Sequence, residues 1–69
     1  MKIGGSSVIA EIGYLPKRAI LMIRFINGTA VLYRHVWYNE FLLFLQAASK
    51  GEYYNRYIKG VYTSMPWTL

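Results

Sequence analysis

The residues able to do chemistry in this chain are few and scattered. A nucleophilic site needs a hydroxyl or thiol beside a base, with a third group to orient that base. Ser6, Ser7 and Ser49 supply hydroxyls, but His35 is the single histidine and there is neither aspartate nor cysteine. Glu11, Glu40 and Glu52 fall in separate stretches, so no metal-ligand spacing arises. Gly4-Gly5 precedes a strand-like run and does not open a helix, which argues against a phosphate loop. His35 reads as a strand-end residue. The inventory points to a non-catalytic protein with no metal or cofactor.

Binding chemistry remains, and it concentrates in residues 47–59. Ser49 followed three residues later by Glu52 is a capping box, which predicts a helix from about Lys50 with Gly51 in its first turn. Tyr53, Tyr54, Tyr57 and Ile58 follow at helical spacing. Free amides, a serine and a lysine at a helix start suit an anion. The same residues also serve as a cap and tight inter-helix turn, and Glu52 would compete with any anion. The structural role is favoured for Ser49, Gly51 and Glu52, leaving Lys50 as the contact. Glu52 and Arg56 are spaced for an i,i+4 ion pair. Lys50, Tyr54, Asn55, Arg56 and Lys59 together offer charge, hydrogen bonds and a ring for single-stranded nucleic acid. In a protein this small, most tyrosines at helical spacing serve the core.

Composition narrows the partners. Eight Lys and Arg against three Glu give a net charge of +5, which favours acidic surfaces. Sixty-nine residues make one domain, 1–69, too short for a large core and without a disulfide to brace it. Seven Tyr, three Phe and two Trp must supply the buried area. Lys17, Arg18, Arg34 and Arg24 interrupt the apolar half, so no run reaches the ~20 residues of a membrane span. The N-terminus lacks the apolar region of a signal peptide. A soluble cytoplasmic protein with no membrane partner is expected.

The elements that must position these residues read in order. Residues 1–7 form a flexible lead-in. Residues 8–14 alternate as a strand, with Val8, Ala10, Ile12 and Tyr14 on one face and Ile9, Glu11 and Gly13 on the other. Leu15-Pro16-Lys17-Arg18 breaks it. A second strand spans 19–25, Asn27-Gly28 signals a type I′ hairpin, and a third strand runs from about 29 to 36. Asn39 is a candidate N-cap for a helix over 40–48 striped by Phe41, Phe44, Leu45 and Ala48. The second helix follows and stops at Gly60. Residues 63–69 are an apolar tail without a period. The expected fold is α+β, a three-stranded antiparallel meander packed against two consecutive C-terminal helices.

With these elements placed, the chain resembles the KTSC family, small domains named for the C-terminal region of certain lysyl-tRNA synthetases and also found alone, often in bacteriophage genomes. The resemblance rests on Ser6-Ser7-Val8-Ile9-Ala10-Glu11-Ile12-Gly13-Tyr14, Leu21-Met22-Ile23-Arg24-Phe25, Asn27-Gly28, Tyr33 and Val36. It continues through Ala48-Ser49-Lys50-Gly51-Glu52-Tyr53-Tyr54-Asn55, with Ile58-Lys59 and Tyr62. Two departures add apolar surface: Leu15 stands where an acidic residue is common after Gly-Tyr, and Val36-Trp37 where Val-Pro is common.

The resemblance implies no reaction. It is compatible with a phage-type regulator that binds an acidic host protein, such as RNA polymerase, through an aromatic patch with a basic rim. Arg34, Trp37, Leu43, Lys50, Arg56, Lys59, Met65 and Trp67 are the candidates for that surface. The alternative, implied by the synthetase association, is RNA or single-stranded DNA binding through Lys50, Tyr54, Asn55, Arg56 and Lys59. A homodimer is a third use for the apolar excess.

Overall fold

The structure is a computed structural model and describes residues 8–67. The lead-in 1–7 and the last two residues of the tail lie outside the described residues. Alternating apolar side chains build three antiparallel strands in sequence order, β1 (Ile9–Leu15), β2 (Ile20–Phe25) and β3 (Ala30–Tyr33). The expected meander is therefore present, and a fourth strand extends it. β4 (Ser64–Pro66) pairs antiparallel with β3, with Met65 opposite Leu32, so part of the expected tail belongs to the sheet. Class and helix count agree with the sequence reading.

One face of the sheet carries the core. Ile12, Leu21, Ile23 and Tyr33 are buried there with Ile9, Val36, Phe44, Tyr54 and Ile58. Each buried aliphatic chain contributes about 1.5–3 kcal/mol. The expected alternation of β1 fails at its start, because Ile9 and Ile12 are both buried. The register shifts between Ile9, opposite Phe25, and Glu11, opposite Arg24. Ala10 is thus the extra residue of a bulge, which turns Ile9 onto the face of Ile12.

The hairpin at Asn27-Gly28 forms, but its geometry differs from type I′. The Gly28 amide donates to Phe25 O at 3.0 Å, and the Phe25 amide to Thr29 O at 2.8 Å. Gly28 has φ 91°, whereas Asn27 is not in the left-handed region. This is the three-residue loop with a glycine bulge. Asn27 Oδ1 accepts from both the amide and the hydroxyl of Thr29. β3 ends at Tyr33, short of the expected residue 36, and His35 takes φ 58°.

Helix α1 (Tyr38–Gln46) starts two residues before the expected boundary, with Trp37 as N-cap and no side-chain cap. Asn39 is inside it. Helix α2 (Lys50–Tyr53) has the expected cap, Ser49 Oγ accepting from the Glu52 amide at 3.3 Å. A π-helical turn, Tyr54–Ile58, continues it, with the Lys59 amide donating to Tyr54 O at 2.8 Å. Gly60, φ 78°, stops it as expected. No described helix is long and apolar enough to cross a membrane.

Candidate functional site

In a meander, the turn between the first two strands and the far end of the third strand lie at the same end of the sheet. Here that end is built by residues 15–19 and 34–38. Leu15 O accepts from the Arg18 amide at 3.1 Å to close the turn. Ala19 then takes φ 53°, and its carbonyl accepts from the Val36 amide at 2.8 Å. From the other side, the Tyr14 hydroxyl donates to Val36 O at 2.6 Å. The Tyr14 ring is itself held by Phe41, stacked at 4.7 Å. Both backbone groups of Val36 are thus bonded, and its side chain is fully buried.

This fixes the chain immediately before Trp37. The Trp37 ring is 76% exposed, so the sheet holds its backbone while leaving its large apolar surface in water. Arg34, His35 and Tyr38 are exposed near it in the chain, and Leu15, Lys17 and Arg18 are exposed in the turn at the same end of the sheet. The two residues that depart from the family pattern, Leu15 and Trp37, therefore lie at the same end of the sheet. That end is an apolar patch with a cationic surround.

Electrostatics reinforce the pattern because every glutamate is engaged. Glu11 pairs with Arg24 at 3.5 Å, and Glu52 with Arg56 at 3.5 Å. Glu40 accepts hydrogen bonds from the hydroxyls of Tyr53 and Tyr62, the latter at 2.8 Å. Burial, together with the adjacent Glu40 carboxylate, pushes the Tyr62 hydroxyl up to about 12 and holds that of Tyr53 well above the ordinary tyrosine range. Among the described residues no carboxylate pairs with Lys17, Arg18, Arg34, Lys50 or Lys59.

The structure distributes the remaining sequence candidates over other surfaces. Leu43 is exposed on α1. Met65 and Trp67 are half-buried on the sheet face turned away from the helices, where Trp67 borders a shallow depression lined by Gly13, Met22 and Arg24. The expected single patch is thus corrected: Arg34 and Trp37 share one end, whereas Met65 and Trp67 do not belong to it. Lys50 is half-buried, and its Nζ donates to Ala47 O at 3.1 Å, which caps the carbonyl end of α1. Gly51 faces Val8, at an ordinary contact distance for an added Cβ.

Tyr54 is also corrected as a stacking residue. Its ring is buried, edge-on to Phe25 and Tyr33, and its hydroxyl lies 2.6 Å from that of Tyr33. Arg56 is exposed in its pair with Glu52, while Asn55 and Lys59 are exposed at the opposite end of the sheet from Trp37. Sequence reasoning missed Lys17, Arg18 and Tyr38 as neighbours of Trp37. The meander topology was the available signal, since it requires the first turn to lie beside the end of β3.

Comparison with known proteins adds family but no activity. The KTSC domain model matches residues 5–62. A crystal structure of a KTSC domain protein from Yersinia pestis superimposes with a TM-score of 0.91 at 30% identity, covering 99% of this chain and 94% of that one. No curated protein matches the chain.

Proposed function

This chain belongs to the KTSC domain family, and from that premise we propose that it is a non-catalytic module that binds an acidic protein surface through the Trp37 end of its sheet. The observation that carries this reading is Trp37 itself, 76% exposed and directly following Val36, whose backbone is bonded by Ala19 O and the Tyr14 hydroxyl. A large aromatic side chain on a fixed backbone loses little entropy on docking, and such anchors dominate interface energies. Lys17, Arg18 and Arg34 around it would steer an acidic partner and set the on-rate. By analogy with how small phage proteins act, a host information-processing complex such as RNA polymerase is the first target to test.

The nucleic-acid reading has less support, since Tyr54 lies in the core, Lys50 caps α1 and Arg56 is paired with Glu52. Purified bacterial RNA polymerase and whole lysate, each offered to the immobilised full chain with and without nuclease, separate the two. A nuclease-resistant protein lost with Trp37→Ala, and kept with Trp67→Ala, supports the reading. Recovery of nucleic acid alone, indifferent to Trp37, overturns it.

A further inference from the structure

The opposite end of the sheet carries a second feature that the Trp37 patch leaves unused. The loop after β2 and the π-helical turn face each other across an open groove of about 560 Å³, a size within the range of small-ligand sites. Val8, Phe25 and Ile26 give it apolar walls, and Asn27, Asn55 and Lys59 bring polar groups to it. The walls are held from both sides. The Ile26 amide donates to Val8 O at 2.9 Å, and the i→i+5 bond from Lys59 to Tyr54 fixes the base of Lys59. Ile26 remains 58% exposed and Val8 45%, large apolar groups left in water at the rim of a concavity.

The polar groups have one sense. Asn27 Oδ1 is already engaged by the amide and hydroxyl of Thr29, so the free part of Asn27 is its NH2 donor. Lys59 offers three more donors and a positive charge, with no carboxylate among the described residues that line the groove. The Asn55 side chain makes no hydrogen bond among the described residues and borders the same space. Donors and one cation above an apolar wall select an anion that carries an apolar body. A single lysine matches one negative charge, whereas a phosphate dianion would call for a second cation. Tyr54 offers no open face for base stacking, because it is buried edge-on among Phe25 and Tyr33.

We propose that this groove binds an apolar carboxylate, its carboxyl group on Lys59 Nζ and the Asn27 amide and its side chain against Val8 and Ile26. The group has two natural sources, the C-terminus of a peptide ending in an aliphatic residue and a free small acid. The site is independent of the Trp37 patch, so either can fail without the other.

Backbone amide NMR of the full chain, titrated to about 10 mM ligand, tests the proposal with four probes: N-acetyl-leucine, a tetrapeptide ending in Leu-COOH, the same peptide as its C-terminal amide, and adenosine monophosphate. Saturable shifts at Asn27, Asn55 and Lys59 with either acid, and at least about tenfold weaker binding of the amide, are expected. Binding of both acids alike assigns the site to the carboxylate group itself; a clear preference for the peptide assigns it to a chain terminus. Lys59→Ala should weaken binding at least about tenfold, with partial return in Lys59→Arg. Asn27→Asp keeps the oxygen that holds Thr29 while placing a negative charge in the groove, and should abolish binding in a folded protein. Equal binding of acid and amide, stronger binding of the nucleotide, or shifts that ignore Lys59→Ala would each overturn the assignment.

Discussion

The hydroxyls of Tyr33 and Tyr54 meet 2.6 Å apart inside the core, joining β3 to the first residue of the π-helical turn. Burial and this contact hold the Tyr33 proton well above the ordinary tyrosine range, and in the shared hydrogen bond one hydroxyl donates and the other accepts. Either single change to Phe leaves a buried hydroxyl unpaired, at a cost of about 1–3 kcal/mol. The double change removes both polar groups and should cost less than the sum of the two. Urea denaturation of the four proteins measures the coupling, and strict additivity would refute it.

Tyr53 and Tyr62 predict a weakness in base. Their folded-state values are raised, so above about pH 10 the unfolded chain loses protons that the folded protein keeps. Stability from these groups is whole below that pH and declines as pH climbs towards about 12, the folded value for Tyr62. Allowing for their partial exposure, the decline should be about 1 kcal/mol per pH unit. Urea midpoints across this window would show it, and the double variant Tyr53→Phe, Tyr62→Phe should flatten the curve.

Ala19 and His35 both occupy the left-handed region, where a Cβ costs about 1–2 kcal/mol. Glycine removes that cost while adding about 0.4–1 kcal/mol of unfolded-state freedom. Ala19→Gly should therefore stabilise by about 0.5 kcal/mol and raise the melting temperature by about 2–4 °C. A lower melting temperature would mean that the Ala19 methyl packs favourably enough to outweigh its backbone.

Binding at the Trp37 end should divide kinetically. Trp37→Ala removes the anchor, and its effect belongs in a faster dissociation of tenfold or more, about 1.4 kcal/mol. Arg18→Glu reverses a rim charge, and its effect belongs in slower association that fades as salt is added. Surface plasmon resonance against the captured partner separates these. A Trp37→Ala variant that alters association alone would place the tryptophan outside the contact.

Tyr14→Phe probes how far the fixed backbone matters. The ring stays stacked on Phe41 and only the 2.6 Å bond to Val36 O is lost, for about 1 kcal/mol of stability. If the bond holds Trp37 in its docking position, affinity should fall about three- to tenfold although Tyr14 is half-buried and only its hydroxyl is removed. Unchanged affinity would show that α1 alone positions the tryptophan.

Much of this architecture was legible because its signals are local. Ser49 and Glu52 mark a helix start, Gly60 a stop, and alternating residues such as Leu21, Ile23 and Phe25 mark a buried strand face. What escaped depends on distant partners. The bulge at Ala10 appears only when β1 is laid against β2. β4 is three residues long, shorter than any period, and exists because the backbone of β3 has an open side. The start of α1 at Tyr38 has no capping side chain to announce it, since the turn containing Ala19 fixes that segment through Val36. For the candidate site, residue types were readable, and Arg34 and Trp37, named together from the sequence, do share one end of the sheet; Lys17 and Arg18, brought to that end by topology, were not named. Tyr54 shows the limit of helical spacing, which gives a face but not which face is buried.

β4 has one more consequence. A sheet exposes hydrogen-bonding backbone at its two outermost strands, and a chain with mean hydropathy +0.22 is at risk of stacking rim to rim with its own copies. Here one rim is β1, bent by its bulge, and the other is a three-residue strand ending in Pro66, which has no amide to offer. Residues 64–66 thus act as a selvedge, sealing the open side of β3 with a strip too short and too irregular to template another strand of a second copy.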